Sequence, residues 1–323
     1  MSRALRFASR FANPVAAPAL VAFAAHAVLA TAPASAQAWV PPGKTGSVSL
    51  GFQWIDNTGH ILDNGKPDDL HPGASVDASL YLTLEYAFSD RLSAEIGLPF
   101  VWAKYIGPGP PPGPVFPSVD SCYCWNGGFQ DFGIIARYNV IGEPGGAFAL
   151  TPSIAFGVPS NDYAYQGEAV VGRNLKELAL AVDAGQRLDA ISPALSVQAR
   201  YAYAFVQKVQ DISTNRSNFA VQVAYQITRP LAVQGFAWWQ WTHGGLRVPE
   251  DLIGASDEIW AQHDRLLRND YFHAGAGITY SFPRLDLYAN YIGFVSGSNT
   301  HQGWAASVGV SWPFELGGSD PTP

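Results

Sequence analysis

Asp77, Glu85, Glu95, Asp131, Arg137, Asp183, Arg187, Arg200 and His273, with Gln198, Gln222 and Gln226, fall at alternate positions of runs whose other positions are mostly apolar. Successive strand side chains point to opposite faces, so these polar groups share one face and turn their backs on the oily one. Both signs of charge on that face describe a mixed, wet lining. With Phe88 opposite Leu92 across a tight turn, Glu85 stands opposite Glu95, and like charges so placed repel. They need a cation, a shared proton or water between them. Arg137 on the next strand is the expected partner, and Asp183 with Arg200 is expected as a second, diagonal pair. Such a network either lines a passage or merely fills the interior, and residue types alone allow both.

Other chemistry is poorly supplied. Ester hydrolysis on the outer face of a barrel needs a serine and a histidine in hydrogen-bond reach, with a third group orienting the imidazole. In the twelve-stranded phospholipase that pair lies two residues apart on one strand, and no histidine here is followed by a serine at that spacing. Glu85 and Glu95 are a titratable pair, but nothing marks a substrate cleft beside them. No enzyme activity and no cofactor are therefore expected. Cys122 and Cys124 are the only cysteines; they read as a local disulfide or as two free thiols, since no nearby histidine completes a metal-ligand set. His60, His71, His243, His263 and His301 fall in expected external loops and read as scattered, solvated groups, so no metal site is expected.

The elements that must position these groups follow from the same alternation. From 76 to 88, Val76, Ala78, Leu80, Leu82, Leu84, Tyr86 and Phe88 are apolar, with Asp77, Ser79, Thr83 and Glu85 between them. After the turn at Ser89, Asp90 and Arg91 the pattern resumes with Leu92, Ala94, Ile96, Leu98, Phe100 and Trp102 on one face. Twelve such runs are expected, near 44–56, 74–88, 91–103, 129–140, 147–159, 176–187, 194–207, 216–227, 230–242, 270–282, 285–295 and 304–314. Connections after even strands are short and those after odd strands long, notably 57–73, 104–128, 160–175 and 243–269. An all-β, transmembrane, antiparallel up-and-down β-barrel of about twelve strands has this rhythm, with short turns in the periplasm and long loops outside. Both termini then fall on the periplasmic side. Trp54, Trp102, Trp239, Trp241, Trp304 and Trp312 lie near run ends, where amphipathic rings suit the headgroup layer. Residues 107–114, rich in proline and glycine, form a semi-rigid stretch in the second long loop that either arches over the mouth or is a variable surface loop.

At the N-terminus Arg3, Arg6 and Arg10 precede an apolar run and then Ala34, Ser35 and Ala36, the pattern of a secretory leader cleaved after Ala36. Residues 37–323 then form a single barrel domain, with about 24 residues for each strand and its connection. Loss of three arginines takes the net charge from −7 to −10, which disfavours nucleic acid as a partner.

The segments SDRLSAEIGLPFVW (89–102), GGFQDFGIIARYNVI (127–141) and PSIAFGVPS (152–160) resemble the outer-membrane transporter family associated with the meta-pathway of phenol degradation. In that family an aspartate turn precedes a strand with a Leu-Pro-aromatic element, and a Gly-Asp pair opens the next strand; here Gln130 stands where the glycine would be. The resemblance implies passage of small hydrophobic or aromatic molecules through the outer membrane of a Gram-negative bacterium, and supplies no catalytic residues. Expected partners are outer-membrane lipid, a small-molecule solute, and the barrel assembly machinery, which would read the closing strand ending at Phe314. Asp77, Glu85, Glu95, Asp131, Arg137, Asp183, Arg200, Gln222 and His273 are the expected lumen-lining groups. The alternatives are a structural or adhesive barrel with working external loops and, behind it, an outer-membrane lipid hydrolase.

Overall fold

The computed structural model describes residues 38–68, 74–107, 122–248, 250–252 and 255–316; the expected leader, His71 and the proline-rich stretch from residue 108 onward lie outside them. Strand segments follow in chain order as β1 (Thr45–Ile61), β2 (Ala74–Ser89), β3 (Leu92–Ile106), β4 (Asn126–Phe129), β5 (Asp131–Tyr138), β6 (Phe148–Pro159) and β7 (Glu177–Arg187). They continue as β8 (Leu195–Val206), β9 (Thr214–Gln226), β10 (Leu231–Gly244), β11 (Asp270–Ser281), β12 (Asp286–Ser298) and β13 (Thr300–Glu315). Every pairing is antiparallel, and β13 returns to β1, which closes the sheet. Because β4 and β5 both pair with β3, they form one wall strand, and the barrel is twelve-stranded.

The alternation read from sequence is the physical wall. Leu82 is 51% exposed while Ser79 on the opposite face is 2% exposed, and Phe219, Val223, Tyr225 and Ile227 likewise face out. No helix among the described residues is long and apolar enough to cross a membrane, so any crossing falls to the strands. The break at Gln130 has a local cause. Pro99 accepts a hydrogen bond from the Gln130 N–H at 3.0 Å but has no N–H to return, and the register on β3 shifts by one residue there. Gln130 then turns its side chain inward, donating to the Val171 carbonyl at 3.1 Å and tying a loop to the wall.

Some expectations needed correction. Phe88 is not opposite Leu92; it is a bulge residue, Ser89 takes that partner, and Glu85 still faces Glu95. The strands at the seam run farther than expected, β1 to Ile61 and β13 from Thr300, so Trp54 and Trp304 lie well inside their strands. Seventeen residues make about 55 Å of strand, roughly 40 Å of height at a 40° tilt, more than the ~25 Å apolar band requires. The long-loop rule also fails in places: the connection 207–213 is no longer than 188–194 at the other end, and Asn299, at φ 50°, alone turns β12 into β13. His60 and His301 are strand residues with rings 4.6 Å apart rather than loop residues, and His243 lies in β10. The loop between β10 and β11 carries two single-turn helices, α1 (Asp257–Trp260) and α2 (His263–Leu266), which alternation could not signal. Cys122 and Cys124 are joined as a disulfide.

Candidate functional site: the barrel interior

Four levels fill the interior between the short-turn end and the long-loop end. At the short-turn end the segment preceding β1 crosses the mouth. The Ala38 N–H donates to Gln198 Oε1 at 2.9 Å, its carbonyl accepts from the Thr151 hydroxyl, and the Trp39 indole donates to the Gly146 carbonyl at 2.9 Å. Residues 38–43 then reach the opposite wall, where the Gly43 N–H donates to Asp90 at 2.7 Å and the Lys44 N–H to the Ala87 carbonyl at 2.7 Å. Six residues extend over about 20 Å, enough to bridge the mouth. Gly185 makes room for them: a Cβ there would lie 2.6 Å from the Ala38 Cβ and 2.8 Å from the Trp39 ring.

Just above lies the charged layer. Arg137 Nη2 is 2.8 Å from Glu95 and Nη1 is 3.6 Å from Glu85, so the guanidinium sits between the two opposed carboxylates. Arg200 meets Asp183 at 2.8 Å, directly across the strand pair and not on a diagonal. Two carboxylates of one sign share a strand pair because a cation from the next strand is delivered between them; the turn at Ser89 and Asp90 sets the register that does so. Asp183 is fully buried and Arg137 is 5% exposed.

The third level is neutral. Gln222 donates to Gln234 at 2.7 Å, and Gln234 to Asn290 at 2.9 Å, an amide chain across β9, β10 and β12. Tyr288 packs inward over Gly51 and Gly309, where any Cβ would strike its phenol. Asp77 is buried on the β2 wall, near the loop end.

At the loop end the chain folds back inside. Tyr163 donates a short hydrogen bond to Asp131 and accepts one from the Asn174 N–H at 2.6 Å. Burial, then the Asp131 charge, push the Tyr163 pKa far above the usual phenol value, so it stays a donor. Arg173 donates to the Thr214 hydroxyl and to the Arg265 carbonyl, both at 3.2 Å, and Arg265 reaches the Asn174 carbonyl at 3.2 Å while stacking 4.3 Å over the Tyr165 ring. Burial pulls the Arg265 pKa below its ordinary value, and the neighbouring Arg173 charge adds to that. On the wall Arg216 pairs with Glu177 at close range. Of these groups Arg173 and Arg216 line a cavity of about 150 Å³ that also carries Gln53, Trp238, Tyr271, His273 and Phe294. The sequence placed His273 inside and missed Tyr163, Arg173, Arg216 and Arg265.

His60, His263 and His301 line a second, smaller recess with Asp77, so these histidines converge more than their sequence positions suggest. No group of three or more metal-ligating residues with metal-site geometry occurs among the described residues. Outside the barrel, the Ser217 hydroxyl lies 2.8 Å from His243 Nε2 and 3.0 Å from the Tyr201 hydroxyl. Ser217 and His243 lie diagonally across the paired strands β9 and β10, 26 apart in sequence, which a search along one strand does not find. Nothing among the described residues hydrogen-bonds His243 Nδ1, so the orienting group of a hydrolytic triad is missing.

No family model matches the sequence, and no curated protein matches it. Solved structures share its fold. An outer-membrane channel from Pseudomonas putida F1 aligns with TM-score 0.63 at 13% identity, covering 86% of this chain and 98% of its own. The β domain of the Bordetella autotransporter BrkA aligns with TM-score 0.50 at 14% identity, covering 84% and 100%. At these identities the likeness establishes a twelve-stranded barrel of the outer-membrane type.

Proposed function

We propose that the chain is an outer-membrane channel for small hydrophobic or aromatic solutes, exported through a leader cleaved after Ala36. The observation that carries the reading is a closed wall, apolar outside, around a polar interior that holds a 150 Å³ cavity lined by aromatic and amide side chains. A purely structural barrel has no need of a chamber in that position. The resemblance of 89–102, 127–141 and 152–160 to the phenol meta-pathway transporters supports the solute class, and the outer-membrane channel from Pseudomonas putida F1 supports the transport role. In this arrangement the long loops face outside, the termini face the periplasm, and lipid contacts the Leu82 and Phe219 face. Barrel assembly machinery reads the last strand at Phe314, whose ring stacks on Tyr86 with centroids 6.3 Å apart.

The interior is crossed at the periplasmic mouth by residues 38–43, while Gln222, Gln234, Asn290 and Tyr288 clothe the wall at mid-height, so the passage is narrowest at that mouth. Asp77, Glu85, Glu95, Asp131, Arg137, Asp183, Arg200, Gln222 and His273 line it. Liposome swelling with small neutral sugars tests the role: refolded protein should speed swelling over protein-free vesicles, and phenolic compounds should slow it. Folded barrel that leaves swelling at the protein-free rate would refute a channel. The Ser217–His243 pair favours a second reading, ester hydrolysis at the lipid face, which the unpartnered Nδ1 weakens.

A further inference from the structure

The cavity beneath the loops is built of two unlike halves. On one side, β10, β11 and β12 present a continuous row of inward rings: Trp238 lies edge-on to Tyr271 at 6.0 Å, Tyr271 stacks on His273 at 4.5 Å, and His273 meets Phe294 at 5.9 Å. On the other side stand two guanidinium groups, Arg173 at 7% and Arg216 at 1% exposure. A buried cation is costly unless it is paired and its donors are satisfied.

Arg216 has a carboxylate partner in Glu177, taken by one terminal nitrogen, Nη2. Arg173 has none in contact: its hydrogen bonds go to a hydroxyl and a carbonyl through Nη2, and no carboxylate lies within 4.0 Å of it among the described residues, although the charges of Glu177 and Asp131 act on it from farther off. Among the described residues, Nε of both arginines is buried without a hydrogen-bond partner, and Nη1 of both makes no hydrogen bond. Asp264, the acidic residue that also lines the cavity, faces His263 at 3.5 Å. Arg265 adds a third positive charge beside Arg173.

From this asymmetry we infer that the cavity binds a small aromatic monocarboxylate, its carboxylate on Arg173 with Arg216 beside it and its ring against Tyr271 and Phe294. An anion supplies the carboxylate contact that Arg173 lacks, and a guanidinium holds a carboxylate through charge-assisted, often bidentate bonds. The volume sets the rest of the ligand: a 150 Å³ cavity accepts one benzene ring. Ring faces and edges of Trp238, Tyr271 and Phe294 favour an aromatic guest over an alkyl chain. The inference deepens the channel reading and rests on it, by making this chamber a selective station for ring-bearing acids ahead of the mouth that residues 38–43 cross.

Titration of the refolded mature protein in detergent, read by tryptophan fluorescence from Trp238 and by calorimetry, tests it with benzoate, phenol and acetate. Benzoate should bind saturably and at least about tenfold tighter than either the ring without the acid or the acid without the ring. R173Q should weaken benzoate by at least about tenfold while leaving phenol unchanged, and R173K should restore part of the loss. Phenol equal to benzoate, or an R173Q barrel of native electrophoretic mobility that binds benzoate as the parent does, would overturn the site. Should R173Q not fold, the comparison of the three ligands on the parent still decides. Swelling assays on the same preparation separate the two ideas: swelling without benzoate binding overturns the acid site and leaves the channel, whereas binding without swelling keeps the site and overturns the channel.

Discussion

Replacing Arg137 by methionine would leave Glu85 and Glu95 facing each other across β2 and β3 without the guanidinium that sits between them. Their side chains are 9% and 15% exposed, so water screens them little. Two carboxylates about 5 Å apart repel by ~3 kcal/mol at an effective dielectric near 20. Loss of one partner from a buried ionic group costs about 3–5 kcal/mol in proteins, which agrees with that figure. R137M should therefore lower unfolding free energy by about 3–5 kcal/mol in a guanidinium titration of the refolded barrel in lipid, followed by tryptophan fluorescence. The triple variant R137M/E85Q/E95Q removes the repulsion along with the cation and should recover most of the loss. Were R137M to cost under about 1 kcal/mol, or the triple variant to be no better than the single, the layer would be a solvated set of charges and the reasoning would be wrong.

Further outcomes follow from other levels of the interior. Removing residues 38–42 should raise the rate of liposome swelling, because that segment spans the mouth at the short-turn end through Gln198, Thr151 and Gly146; an unchanged rate would mean that the constriction lies elsewhere. G309A forces a methyl group into the Tyr288 phenol and should cost about 1–3 kcal/mol by the same guanidinium titration, with G309A/Y288A less affected. S217A should leave both folding and solute flux unchanged, and neither parent nor variant should release fatty acid from phospholipid; hydrolysis lost only in S217A would restore the lipase reading.

The wall was legible in the sequence because a strand writes its two faces in alternate residues, and Leu80, Leu82 and Leu84 against Asp77, Ser79 and Glu85 leave no other register. Glu85 against Glu95 was legible for the same reason, since the turn between them is short enough to count across. Arg137 could be proposed between them because it lies on the neighbouring strand. What escaped has no period. Tyr163 reaches Asp131 across 32 residues, Arg173 reaches the Arg265 carbonyl across 92, and Ala38 reaches Gln198 across 160, all contacts made by loops and ends folding back into the barrel. One sign was present: Gln130, standing where the resembling family has glycine, is the residue that clamps Val171 and seats the loop carrying Arg173. The Ser217–His243 contact was hidden because cross-strand neighbours are near in space and far in sequence.

Planar-bilayer recording from the refolded mature chain tests the central reading most directly. Discrete conductance steps that benzoate interrupts in a concentration-dependent way are the expected result; a barrel that is folded by its heat-modifiable mobility yet silent at every voltage, with residues 38–42 present or removed, would contradict a transport role.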